Sequence, residues 1–313
     1  MRSLLALLLA LLAPSAATAQ TEETVKAIER KLETLKFIQS LEAPGGGFYV
    51  TVPDRKGDAK PVASLRATNG AARAWKYLGG DNPGATLPNK DRHAAFVLSC
   101  YDPKTGGFAE PGGKPDVTIT SIGVMAAAEL GIAHQKYARA MDYLKENAKT
   151  FEEVRIGAAA VEAWGVKECP FKLGEWFRIG KAFGTQPVRD AKDDARDCGS
   201  LTAMWLRLGN TLEEMQREVI VSEVLKPGQR EDGGWGKKGE KASDIETTYR
   251  VMRALMLLKE KPKEAQKLRA YIEAHRNKDG GYATKPGDPS SMSGVYYCAI
   301  VTKWLNEPEG AKR

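Results

Sequence analysis

Two kinds of hydrophobic pattern alternate along this chain. In the first, apolar residues recur every three or four positions opposite a charged side. Residues 24–41 are the clearest case, with Val25, Ile28, Leu32, Leu35, Ile38 and Leu41 on one stripe and lysines and glutamates facing away. That period predicts an amphipathic helix with one covered face. The stretches 88–100, 134–147, 170–182, 211–225 and 262–276 read the same way. In the second kind, at 64–78, 116–130, 154–165, 198–208, 244–258 and 292–305, residues are apolar or small nearly all round. Such a helix must be covered on every side. Six half-wet and six dry helices in alternation predict an all-α fold, with an inner ring of six inside an outer ring of six. Short connections make successive helices antiparallel. An open solenoid is the alternative, but it would leave the last dry helix, ending in Trp304 and Leu305, without a cover.

The joints between the two kinds repeat as well. Gly-Gly-aromatic turns stand at Gly46-Gly47-Phe48, Gly106-Gly107-Phe108, Gly233-Gly234-Trp235 and Gly280-Gly281-Tyr282. One such turn is a weak signal, whereas four at corresponding places define a repeat. The aromatics are spaced by 60, 127 and 47 residues, and the long gap has room for two eroded units, at 151–166 and 182–209. Six helical hairpins result.

The N-terminus changes the picture of where the protein works. Arg2, the apolar run Leu4–Leu12 and the small-x-small site Ala17-Thr18-Ala19 read as a secretory signal peptide over residues 1–19. Residues 20–313 then form one domain, exported to the periplasm or secreted. No later stretch is long and apolar enough to span a bilayer. Without Arg2 the chain has 46 basic against 40 acidic residues. The basic residues are interleaved with acids, which points away from nucleic acid. Cys100, Cys169, Cys198 and Cys298 could pair in three ways. No Cys/His spacing for a metal appears, and His93, His134 and His275 read as surface residues of outer helices. No protein partner is specified.

These turns resemble the repeats shared by protein prenyltransferase β subunits and squalene–hopene cyclases, and "QREDGGW" (229–235) is similar to the Gln-x-Gly-x-Trp repeat pattern. The resemblance spans about residues 24–305. It implies an α/α toroid whose turns ring the end where the inner helices begin and a ligand cavity opens. In prenyltransferases the zinc ligands are Asp, then Cys two residues on, and a His one helix later. Asp244 matches the Asp, Glu246 stands at the Cys, and Ser293 falls near the His. Thiolate and imidazole are both missing, so no metal and no cofactor is expected. Class II cyclases use an Asp-x-Asp-Asp run to protonate an alkene or epoxide. Asp244-Ile245-Glu246-Thr247-Thr248 resembles it in part, with Glu246 at the proton donor.

The candidate catalytic residues are therefore Glu246 and Asp244. "Ser-Asp-Ile-Glu" is equally a helix start, where acids cap free N–H groups. Asp116 and Asp197 stand near the starts of other inner helices, and with Tyr249, Tyr296 and Tyr297 they are expected to line the cavity. An aromatic wall suits an apolar, isoprenoid-like ligand. Two other functions fit the same features: a non-catalytic binding or scaffolding toroid, favoured by the broken motifs, and a carbohydrate-active toroid using Asp244 and Glu246.

Overall fold

The computed structural model describes residues 16–53, 60–79, 86–184 and 189–307, with side chains from residue 24 onward. Residues 1–15, most of the expected leader, lie outside that set. The described chain is helical, and its β pairing is confined to isolated bridges such as Tyr101 with Phe108. The outer helices are α1 (Ala16–Ser40), α3 (Lys90–Ser99), α5 (Arg139–Asn147), α7 (Gly174–Phe183), α9 (Glu214–Val219) and α11 (Ala265–Glu273). The inner ones are α2 (Leu65–Gly79), α4 (Val117–Glu129), α6 (Phe151–Trp164), α8 (Ala191–Arg207), α10 (Ile245–Leu257) and α12 (Met292–Asn306). Inner helices pack in the cyclic order α2–α4–α6–α8–α10–α12 and back to α2. The fold is an α/α toroid of six hairpins.

The Gly-Gly turns are held in two ways. In three of the four, the aromatic N–H donates to a threonine hydroxyl on the following inner helix: Phe48 to Thr68, Phe108 to Thr120 and Trp235 to Thr248, each at 3.0 Å. The first glycine of each turn leans on the outer helix of the next unit. Gly280, in the last unit, meets α1 of the first. Its φ is +82°, and a Cβ there would lie 2.8 Å from the Glu33 carbonyl oxygen. The Thr34 hydroxyl, in turn, donates to the Gly280 carbonyl at 2.9 Å. The ring therefore closes through the first helix and the last turn, and the open solenoid is ruled out.

The inner helices start on side-chain caps. Asp116, Thr150, Asp190, Asp244 and Ser291 each accept a backbone N–H from the first turn. Helix α2 is served partly from the next unit, where Glu110 accepts from the Leu65 and Arg66 N–H groups at 2.6 and 3.0 Å. α9 widens into a π turn over Ile220–Leu225, and the buried Trp235 indole donates to the Leu225 carbonyl at 2.8 Å.

Three expectations need correction. The fourth inner helix begins at Ala191 rather than 198, because Asp190 caps it and Asp194 accepts the Arg189 and Asp190 N–H groups. His93 and His275 are buried, not superficial. The Gly47 N–H donates to His93 Nδ1 at 3.0 Å, so this imidazole holds a turn in place. On α1 the apolar stripe is only half covered: Phe37, Ile38 and Leu41 are in the core, while Val25, Ile28 and Leu32 stay about half exposed. All four cysteines are free thiols.

Closure predicts a selective sensitivity. Gly239 also has positive φ (+75°) but faces open space. Gly239→Ala should cost about 1 kcal/mol from backbone conformation alone. Gly280→Ala should cost roughly 1–3 kcal/mol beyond that, because the methyl collides with α1. Urea midpoints of the two variants measure the difference, and equal losses would mean that the Gly280–α1 contact contributes nothing.

Candidate functional site

A cavity of about 300 Å³ lies inside the ring, walled by all six inner helices. Successive turns of these helices line it in layers, from the helix starts inward. The first layer holds Arg66, Thr118, Glu152, Glu246, Met292 and Ser293. The second holds Asn69, Ile122, Arg155, Ile156, Ser200, Tyr249, Arg250, Tyr296 and Tyr297. Deepest are Arg73, Met125, Ala159, Ala203, Met204, Arg207 and Arg253.

Of the residues singled out from the sequence, Glu246, Tyr249, Tyr296 and Tyr297 come together on this wall. Asp244 and Asp116 do not: each turns to the backbone as a cap, Asp244 accepting the Thr247 N–H at 2.9 Å and Asp116 the Ile119 N–H at 2.7 Å. Asp197 sits in the second turn of α8, because that helix starts earlier than its apolar stretch. It faces a separate flank cavity beside α7, near Arg196. Of the positions equated with zinc ligands, Asp244 gives Oδ1 to the helix end, Glu246 is bonded to Arg250, and Ser293 supplies a hydroxyl.

Sequence reasoning missed the six arginines. They face only two cavity carboxylates, and both of those sit near the mouth. Arg250 joins them: its Nη1 donates to both oxygens of Glu152, at 3.0 and 3.2 Å, and its Nε and Nη2 donate to Glu246 Oε1, at 3.1 and 2.7 Å. Arg155 also holds Glu152 Oε2, its Nε donating at 3.0 Å and its Nη2 lying 2.9 Å away. Burial alone would raise both carboxyls, but the guanidiniums outweigh it. Arg250, Arg196 and Arg155 hold Glu246 below the usual carboxylate range, and Arg155 and Arg250 do the same for Glu152. Neither is a proton donor near neutral pH.

Below them, the Tyr249 and Tyr296 hydroxyls lie 3.1 Å apart. The Arg253 guanidinium sits over the Tyr249 ring and that of Arg73 over the Tyr296 ring, both at 5.9 Å. Burial would raise the Tyr249 phenol, but Arg253, Arg207 and Arg73 outweigh it and draw it down to about 6. Burial pushes the Tyr296 phenol up. The signal for these arginines was present in "TTYRVMRALML" (247–257), where Arg250 and Arg253 interrupt a helix that is otherwise fit for complete burial.

The sequence profile described as "Prenyltransferase alpha-alpha toroid domain" matches residues 62–153 and 137–312. The chain belongs to this family. No curated protein matches it significantly. Among solved structures, the toroid superposes on the type II terpene cyclase MstE from Scytonema with a TM-score of 0.60 at 11% identity, covering 90% of this chain and 97% of that one. A protein from Actinoplanes matches with a TM-score of 0.58 at 12% identity over 90% and 98% of the two chains. A wild-type glycosidase matches with a TM-score of 0.55 at 14% identity over 91% and 97%. At such identities the likeness is one of fold, which this toroid shares with both terpene cyclases and glycosidases. Among the described residues, no helix is long and apolar enough to cross a membrane.

Two measurements probe the site. Asp244→Ala should cost about 1 kcal/mol in denaturant midpoint through loss of the cap, while Glu246→Gln, half exposed beside an Arg250 that keeps Glu152, should cost well under that. The second concerns pH. The Tyr249 phenol falls from an ordinary 10 to about 6 on folding, so between those values the native protein binds one proton fewer than the unfolded chain. The stabilisation is complete above pH 10 and is lost as pH falls through 6. Ultraviolet difference spectra should show one phenolate forming near pH 6 in the native protein and none in Tyr249→Phe. A native protein with no phenolate below pH 9 would refute the shift.

Proposed function

We propose that this chain is an exported ligand-binding toroid. After removal of residues 1–19 it holds one small molecule with an apolar or isoprenoid-like body in the central cavity. The wall supports such a body: Tyr249, Tyr296 and Tyr297 face Ile122, Ile156, Met125 and Met204 across the cavity. A variant of the structurally similar terpene cyclase MstE has been solved with the product merosterolic acid A. The observation that carries binding over proton-initiated cyclisation is the state of Glu246. Arg250 takes its Oε1 twice and keeps it ionised, and a proton donor must be neutral before it acts.

A carbohydrate-active reading has one observation in its favour. Glu152 on α6 and Glu246 on α10 line the same cavity and share Arg250. Glycoside hydrolysis, however, needs one carboxyl kept protonated as general acid. The shared Arg250 pulls both the other way.

Native mass spectrometry of the protein recovered from its own compartment tests the reading. The expected result is a chain beginning near Gln20 that carries a non-covalent small molecule, released on organic extraction. Retention should survive Glu246→Gln within about threefold, since that charge is already paired with Arg250. A ligand-free chain that turns over a glycoside or a polyprene, with activity abolished by Glu246→Gln, would replace binding with catalysis.

A further inference from the structure

The cavity's charge is unevenly neutralised, and the imbalance lies at its floor. Near the mouth, Arg155 and Arg250 have Glu152 and Glu246. At the floor, the only carboxylate among the described residues that pairs with these arginines is Glu162, 3.3 Å from Arg207 Nε and itself partly exposed. Arg207 and Arg253 are buried, at 8% and 6% exposure. Arg253 has the Trp304 ring 4.7 Å from its guanidinium carbon, but its Nε and Nη2 have no hydrogen-bond partner among the described residues. The same holds for Arg207 Nη2 and Arg73 Nε. Asn69 Oδ1 and the Ser200 hydroxyl, both buried on the same wall, are also unpartnered.

Buried guanidiniums cannot relieve this by losing a proton, as a lysine could. Mutual repulsion and lost hydration then leave two remedies: a phenolate at Tyr249 or at Tyr77, whose hydroxyl accepts from Arg73 Nη2 at 3.3 Å, or an anion from outside. Forked N–H donors suit the oxygens of a carboxylate, phosphate or sulfate. We propose that Arg73, Arg207 and Arg253 form an anion site at the floor of the toroid, and that the ligand enters acid end first with its apolar part against Tyr249, Tyr296 and Ile122. The Ser200 hydroxyl supplies a neutral donor to the same group. This rests on the ligand-binding reading above and adds the chemical class of the ligand's inner end.

The test uses the whole mature chain and three probes in calorimetric titration: octyl phosphate, octanol and inorganic phosphate. Octyl phosphate should bind at least about tenfold tighter than octanol, the scale of one charge-assisted hydrogen bond. Arg253→Met should remove that preference, bringing octyl phosphate and octanol to within about threefold of each other. It should also melt no lower than the parent, because one of three like buried charges is gone. If that variant does not fold, Arg207→Met makes the same comparison, and the parent's own preference needs no variant. Equal binding of octyl phosphate and octanol would overturn the anion site while leaving the ligand-binding reading intact. Binding of inorganic phosphate that is lost in Arg253→Met, with neither octyl compound bound, would keep the anion site and overturn the apolar ligand. Binding of none of the three would overturn both.

Discussion

A helix that is apolar all round has to be enclosed, and in this chain enclosure requires the two ends of the sequence to meet. Helices α2 and α12 cover each other only when the last unit docks beside the first. That docking is made by backbone: Gly280 packs against the Glu33 carbonyl of α1, and Thr34 bonds back to Gly280. The other Gly-Gly turns repeat the contact from one unit to the next, and threonine bonds tie three of them to the inner helices α2, α4 and α10. The position of every cavity residue follows from this register.

Enclosure also sets the chemistry. Six inner helices with short side chains close in until a modest cavity remains, and whatever polar groups they carry are trapped there together. Near the mouth the trapped charges are of both signs and pair through Arg250. At depth they are of one sign. The low dielectric that makes an unpaired guanidinium costly also strengthens its pull on a neighbouring phenol or a bound anion. The strongly displaced ionisation of Tyr249 and the unpartnered arginine donors have this one cause.

The architecture was legible because it rests on patterns that sequence displays directly: two helical periods in alternation and a turn that recurs. The caps were legible too, since an acid before an apolar run has a local job; Asp244 and Asp116 perform it. The site was less legible, for two physical reasons. The start of α8 depends on Asp190 and Asp194 satisfying N–H groups ahead of the apolar stretch, so counting from apolar residues misplaced Asp197 by about two turns. The inner-helix arginines drew no attention, because an arginine is usually solvated. Whether an arginine on a helix faces water or the ring's interior depends on the neighbours that closure brings, and Arg73, Arg207 and Arg253 acquire theirs from different units.

The bond between Thr34 and Gly280 joins residues 246 apart in sequence. Contacts between neighbouring units are local and can form quickly, but this one has to wait until nearly the whole chain is available. During synthesis the buried segment of α1, from Thr34 to Leu41, is left without its eventual partner until the last turn has been made, and the growing array has an unfinished apolar flank at each end. Late closure of this kind exposes the chain to premature association. It also makes the final step of folding a search between two preformed faces, so the rate at which the toroid becomes native should be set by the joining of its ends and not by the formation of its helices.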